Sequence, residues 1–391
     1  MLVGRATAIG ACRDCAQPGF GGPGENRFTA YDAFCRGEVC REAGYPQAFV
    51  NASNLTLFVR VNDLAFGGPA AFTLERSYNS DDTHAGIFGI GWSSNLGESL
   101  TADSTGTLVL RRGSGRIDRF APAAGSSAYF AVTSTTDSLT KNTDGTFTLS
   151  ARAANAARVF SADGRLLSMQ GVTLDYDAAG RATAAHIRGR LLKIAYDGAG
   201  RITSVSDATG RTVSYSYSDD GHLASTTNAD GSATTYQYDA NGLLTAIGFA
   251  GGSTAISYSS ADSPYYSVGG VTTPDGTVRQ YDIPRTPTEI RATDANGDAT
   301  LYISNALGQL VSISNSSGTV TYSYDPAGRR TRAVNGAGEA STFTYDANGN
   351  LTGITDAAGN RWTATYGPSG IAQITDPRGN AWRFRYDDSG A

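Results

Sequence analysis

The sequence predicts an all-β protein: one long, coiled antiparallel sheet of stacked β-hairpins, forming a spiral shell or an open, solenoid-like segment. Three observations predict it. A turn phrase of the form Asp-x-x-Gly, preceded by tyrosine, recurs at a near-constant interval through the second half of the chain. The residues before each phrase alternate, "TYQYD" and "TYSYD" being examples, which is the period of a half-buried strand. The composition, with 48 Gly and 20 Tyr but only three His and two Met in 391 residues, favours strands and turns over helices.

The array itself is the first element to justify. Aligned on the tyrosine, the phrase begins at Tyr176, Tyr196, Tyr217 and Tyr238, and again at Tyr324, Tyr345, Tyr366 and Tyr386. Weaker copies begin at Tyr258, Tyr281 and Tyr302, so that eleven anchors follow one another at intervals of 20 to 23 residues. A second turn series, from "DATG" at 207 to "DPRG" at 376, falls between the anchors. A turn therefore arrives about every ten or eleven residues, leaving about six for each strand. Asp or Asn at the first position accepts hydrogen bonds from the backbone of its own turn. Gly at the fourth supplies the positive φ that closes a hairpin through a bulge.

Within each unit, Tyr236 and Tyr238, Tyr322 and Tyr324, Phe343 and Tyr345, and Phe384 and Tyr386 each share a face by period 2. After the turn the pattern changes to Leu-x-x-Ile, as in Leu244 with Ile247, Leu310 with Ile313 and Leu351 with Ile354. That spacing implies a β-bulge bringing both residues to the core. Equal hairpins in one register place their tyrosines side by side on neighbouring strands. A lone hairpin is marginal in water, so the copies must support one another, and the terminal strand edge is the weak place.

Upstream, three regions are distinguished: residues 1–50, a Cys-containing extension; 51–165, an opening β-region; and 166–391, the hairpin array. All four cysteines, Cys12, Cys15, Cys35 and Cys40, lie in the first region. Their spacing fits two disulfides in an oxidising compartment, a zinc site, or free thiols. A net charge of −5 with no basic stripe argues against nucleic acid. No apolar run approaches the roughly 18 residues of a membrane helix.

The phrase Y-D-x-x-G-R/N-L resembles the rearrangement-hotspot, or YD-repeat, family, which includes shells of bacterial polymorphic toxins, toxin-complex C components and teneurins. Residues 72–100 are similar to the family's opening segment through Arg76, Tyr78, Asn79, Ser80, Gly86, Phe88, Gly89, Gly91 and Trp92. The resemblance covers about residues 50 to 391. It implies a spiral sheet closing into a hollow shell that holds, in toxins, a C-terminal effector. The closing core with its autoproteolytic Asp cluster is not among these residues, which implies either a fragment of a longer chain or a short member that stays open. An open coil leaves a strand edge on which another copy could pair head to tail.

Other motifs support no chemistry. "GFGGPG" at 19–24 has the spacing of a dinucleotide fingerprint but contains Pro23 and lies in a Cys-rich coil. Asp294 to Asp298 hints at calcium, against which stands an ordinary Asx turn. Asp325-Pro326 and Asp376-Pro377 sit inside repeat turns without the second carboxylate that acid–base cleavage needs. His222 follows a turn Gly where the repeat has Arg or Leu, a position expected to be exposed. Trp362 and Trp382 occupy equivalent places in adjacent units, forming either a stacked internal ladder or a candidate sugar-binding platform. With no convergent titratable groups, the expectation is a non-enzymatic, exported structural protein without cofactors. It would form a shell, casing or fibre, with a toxin shell or a glycan-binding adhesin as the alternatives.

Overall fold

The computed structural model describes residues 31–33, 46–51, 54–66, 72–123, 125–132, 137–150, 157–169, 171–259, 267–282, 288–347, 349–367 and 370–385. The four cysteines and Tyr386 lie outside these residues. Among the described residues there is no α-helix, only a 3-10 turn at Asn95–Gly97.

Two sheets dominate. The smaller runs in the order Tyr31–Ala33, Gln47–Asn51, Leu57–Phe66, Phe72–Asn79, Trp92–Ser94. The larger begins at Ser99–Ala102 and ends at Ala381–Arg383, with 29 antiparallel strands, each paired to the next in sequence. An antiparallel bridge between Ser99 and Arg165 folds the first strand back onto the turn before Leu166–Met169, and the Leu100 amide donates to the Gly164 carbonyl at 2.9 Å. The leading part of the coil thus closes on itself. No ladder joins the last described strand to the first.

One contiguous apolar core runs from Ala48 in the small sheet to Ile313 in the coil. The small sheet therefore packs against the inner face of the large one, and regions 51–165 and 166–391 share that core. Alternation decides what it contains: in Thr212–Tyr217, Val213 and Tyr215 point inward while Thr212 and Ser214 are exposed.

Each turn phrase is built as its chemistry requires. In the Tyr176 unit, the Asp177 amide donates to the Arg181 carbonyl at 2.9 Å and the Gly180 amide to the Asp177 carbonyl at 2.9 Å. Asp177 Oδ1 accepts from the amides of Ala179 and Arg181, and Gly180 has φ +78°. The Leu-x-x-Ile spacing is a bulge. Tyr238 pairs with Leu244 and Gln237 with Ala246, skipping one residue, so that Leu244 and Ile247 both reach the core. The same shift recurs at Tyr176, Tyr196, Tyr217, Tyr258, Tyr324, Tyr345 and Tyr366.

Two details of the array differ from the sequence reading. The contact that recurs at the anchors is a hydroxyl bond. Tyr196 donates to the Ala182 carbonyl (2.8 Å), Tyr217 to Ile202 (2.7 Å), Tyr258 to Leu244 (2.9 Å), Tyr345 to Arg330 (2.8 Å) and Tyr366 to Leu351 (2.9 Å). The bulge lifts the first residue of each strand out of the ladder, and the next unit's tyrosine fills the gap. Tyr302, second, is not an anchor. It pairs with Ile313 as Tyr236 pairs with Ile247, and Ser304 takes the anchor place opposite Leu310. Tyr281 is buried and pairs with Ala292.

Candidate functional site

The most concentrated polar chemistry lies where the small sheet meets the coil. Asp63 and Arg76, on adjacent strands, form an ion pair at 2.8 Å with both side chains 0% exposed. The coil completes it: Tyr215 donates to Asp63 Oδ2 at 2.8 Å, and Arg76 Nη2 donates to the Tyr236 hydroxyl at 2.8 Å. The guanidinium carbon lies 4.7 Å from the Trp92 ring centre and 5.3 Å from that of Tyr236, within cation–π range. Trp92 in turn donates to the Tyr238 hydroxyl at 3.0 Å, and the Tyr78 hydroxyl accepts from the Leu244 amide at 3.1 Å.

The electrostatics follow from burial. Loss of water pushes the Asp63 carboxyl up, and the opposing pull of Arg76 does not fully offset it. Burial is the largest single influence on Arg76 and would lower it, but the Asp63 carboxylate together with Tyr236 and Tyr215 outweighs it and holds the guanidinium above its ordinary range. The cluster is therefore a charged clamp that joins the small sheet to the coil, and within it Arg76 Nη1 has no hydrogen-bond partner among the described residues.

The opening motif supplies most of this clamp. Arg76, Tyr78 and Trp92 are in it; Phe88 packs edge-on against Tyr215 at 4.8 Å; the Ser80 hydroxyl accepts from the Leu57 amide; and the Asn79 amide donates to the Gly91 carbonyl. Gly89 has φ +91°, and a Cβ there would lie 2.7 Å from the Gly221 carbonyl oxygen, so only glycine fits. Asp63 was missed in the sequence. It stands in "VNDLAF", and its one signal is that alternation from Val59 and Val61 places an acidic residue on the apolar face of its strand.

Beside the clamp an open cavity of about 420 Å³ is lined by His84, Trp92, Arg111, Arg201 and Asp220 among others. Its two guanidiniums are engaged, Arg111 with Asp82 at 2.7 Å and Arg201 with Asp197 at 2.8 Å.

The repeat residues bind one another. Arg181 lies over the Tyr196 ring at 5.4 Å, Arg201 over Tyr217 at 4.4 Å and Arg329 over Tyr345 at 5.1 Å, each while bonded to the Asp of its own turn. His222 corrects the sequence expectation: it is 7% exposed, its ring 4.6 Å from that of Tyr238. It takes the arginine's place over the next anchor, which is why it is covered. Asp294 Oδ1 accepts from the Asn296 and Asp298 amides, the hydrogen bonding of an Asx turn. Asp325 and Asp376 likewise accept from the amides of their own turns.

Trp362 and Trp382 stack at 6.3 Å and 17°. They share the inner face with Ile354 and Ile374, their cross-strand partners, while Gln373 and Arg383 bond to each other on the opposite face.

The turn carboxylates carry a pH dependence. Hydrogen bonds from Ser218 and then His222 hold Asp220 down at about 2. At Asp207, burial is outweighed by hydrogen bonds from Thr209 and Arg211, which leave it at about 2. A carboxyl depressed on folding contributes stability above its ordinary value of 3.8 and loses it as pH falls through the folded value. The denaturant midpoint is accordingly expected to drop between pH 4 and pH 2. Asp207→Asn should flatten part of that slope; a midpoint constant over this interval would refute the assignment.

The family comparison agrees with this architecture. The teneurin YD-shell family matches residues 142–341 and 294–391. This chain belongs to the YD-repeat shell family. A domain of unknown function (DUF6531) matches residues 50–120, the segment that forms most of the small sheet and the start of the coil. Among solved structures, TcdB2-TccC3 without its hypervariable C-terminal region is 12% identical, with a TM-score of 0.39, over 82% of this chain and 22% of that one. The Photorhabdus luminescens Tc holotoxin pore is 12% identical, with a TM-score of 0.38, over 90% of this chain and 23% of that one. The YD-repeat chain thus spans less than a quarter of the length of either. A comparison with curated proteins gave no significant match. Shells of this family are structural, and the chemistry of this YD-repeat chain is of that kind.

Proposed function

We propose that this YD-repeat chain is a non-enzymatic wall segment of an exported β-shell, and that its work is to enclose or scaffold rather than to catalyse. The observation that carries the reading is how the repeat spends its reactive side chains. Tyrosine hydroxyls cap the previous unit, aspartates cap their own turns, and arginines cover the next tyrosine. Residues 51–165 supply most of the inner sheet and the first strands of the wall, residues 166–391 the rest of the wall, and residues 1–50 a Cys-bearing extension that adds the strands Tyr31–Ala33 and Gln47–Asn51 to the inner sheet. Copies associate through the terminal strand edge.

The purified protein is tested against peptide, ester, phosphoester and glycoside substrates, beside a His84→Ala variant of the cavity next to the clamp. No turnover is expected from either. Turnover that His84→Ala abolishes would overturn the reading. Sequencing the coding region downstream of residue 391 decides whether the wall belongs to a longer shell holding a C-terminal effector.

A further inference from the structure

The cavity beside the clamp gathers charged and apolar groups that the wall does not need for its own packing. Its volume of about 420 Å³ is that of a small-molecule site. It is also pre-formed, because the hairpin of Ala85–Gly86 and Gly89–Ile90 is pinned to two turns of the coil. The Ile87 carbonyl accepts from the Ile202 amide at 2.8 Å, and the Ile90 amide donates to the Gly221 carbonyl at 3.4 Å.

Three chemistries meet around Gly221, which lines the cavity. Measured from where a Cβ would stand on that glycine, Arg201 Nη1 and Ile90 Cδ1 each lie 3.8 Å away, and Asp220 is the preceding residue. Arg201 is held by Asp197 through Nε, so its Nη1 and Nη2 donors are unused among the described residues. Asp220 has a side chain 69% exposed, and bonds from Ser218 and then His222 keep its carboxyl ionised at neutral pH.

Charge balance narrows the ligand. Arg111 and Arg201 are each neutralised by an aspartate of their own, Asp82 and Asp197. His84 is pushed down by burial and then by Arg111, so it is uncharged at neutral pH. A bare anion would meet the Asp220 carboxylate, and a bare cation would meet the Arg201 guanidinium. A molecule carrying both charges close together meets each with its opposite. Ile87 and Ile90 line the same cavity and offer contact to an apolar body.

We propose that this cavity binds a free α-amino acid with a branched or aromatic apolar side chain. Its carboxylate accepts from the Nη donors of Arg201, its ammonium donates to Asp220, and its side chain rests on Ile87 and Ile90. The site holds its ligand without turnover, and its failure would leave the wall reading standing.

L-leucine is the probe, titrated calorimetrically into the full chain. Isocaproate, which keeps the carboxylate alone, and isoamylamine, which keeps the ammonium alone, are titrated beside it. Saturable binding of L-leucine is expected, with both single-charge analogues weaker by roughly tenfold or more, the loss of one charge-assisted contact. Asp220→Asn keeps an oxygen for Ser218 and should weaken L-leucine by a similar factor, with isocaproate bound no more weakly than before. Asp230→Asn, at a turn outside the cavity, should change neither. Three results would each overturn the proposal: no saturable binding of L-leucine, an analogue that binds as tightly, or equal affinities in the two variants. The analogue comparison uses the unaltered protein, so it decides the matter even if a variant fails to fold.

Discussion

Arg76→Met is expected to destabilise the fold by about 3–5 kcal/mol at neutral pH, because it leaves the fully buried Asp63 carboxylate without its counter-charge, with only the Tyr215 hydroxyl still donating to it. Methionine keeps much of the volume between Trp92 and Tyr236, so the loss reports the charge rather than a cavity. The double change Arg76→Met with Asp63→Leu should restore much of the stability, since replacing both ions by apolar groups removes the uncompensated charge. Burial already holds Asp63 above its ordinary value of 3.8 in the intact protein, and removing Arg76 raises it further. A carboxyl raised on folding binds a proton that the unfolded chain releases, so stability falls as pH rises from the unfolded value to the folded one. The Arg76→Met penalty should therefore be small near pH 4 and full near pH 8, opposite in sense to the turn aspartates. Denaturation followed by Trp92 fluorescence measures it, and a pH-independent penalty would show that lost packing dominates.

How much of this was legible in the sequence depends on range. The hairpins were, because their determinants are local. A turn capped by Asp177 and closed by Gly180 is specified within six residues, and the bulge between Leu244 and Ile247 shows as a spacing that fits neither a straight strand nor a helix. Tyr302 was misplaced because a tyrosine two residues from a turn looks like an anchor unless the partner strand is known. His222 was misplaced for a related reason: its cover is Tyr238, which belongs to the next unit. The opening motif was visible as a pattern, but its purpose was not. The partners of Asp63 and Arg76 are Tyr215 and Tyr236, more than 150 residues away, and no local signal connects them.

Gly164→Ala is expected to open the front of the coil. Gly164 has φ +86°, and a Cβ there would lie 1.9 Å from the Leu100 carbonyl oxygen. Because backbone rather than a flexible side chain stands in the way, the first strand must move, taking with it the Leu100 amide bond to Gly164 and the Ser99–Arg165 bridge. Gly210→Ala is the matched control: φ is +91° but nothing lies within 4 Å, so only the left-handed backbone cost of about 1–2 kcal/mol applies. The Gly164 variant should lose about 3 kcal/mol or more, since it adds a steric conflict and a broken closure to that same cost. Hydrogen exchange separates the two: faster exchange across Ser99–Ala102 and Leu108–Arg111 in Gly164→Ala, and no change there in Gly210→Ala. Equal losses in both variants, with quiet exchange at Leu100, would mean that the first strand is held by its hairpin alone. The coil would then be open at both ends, and its leading turn would not need the closure to fold.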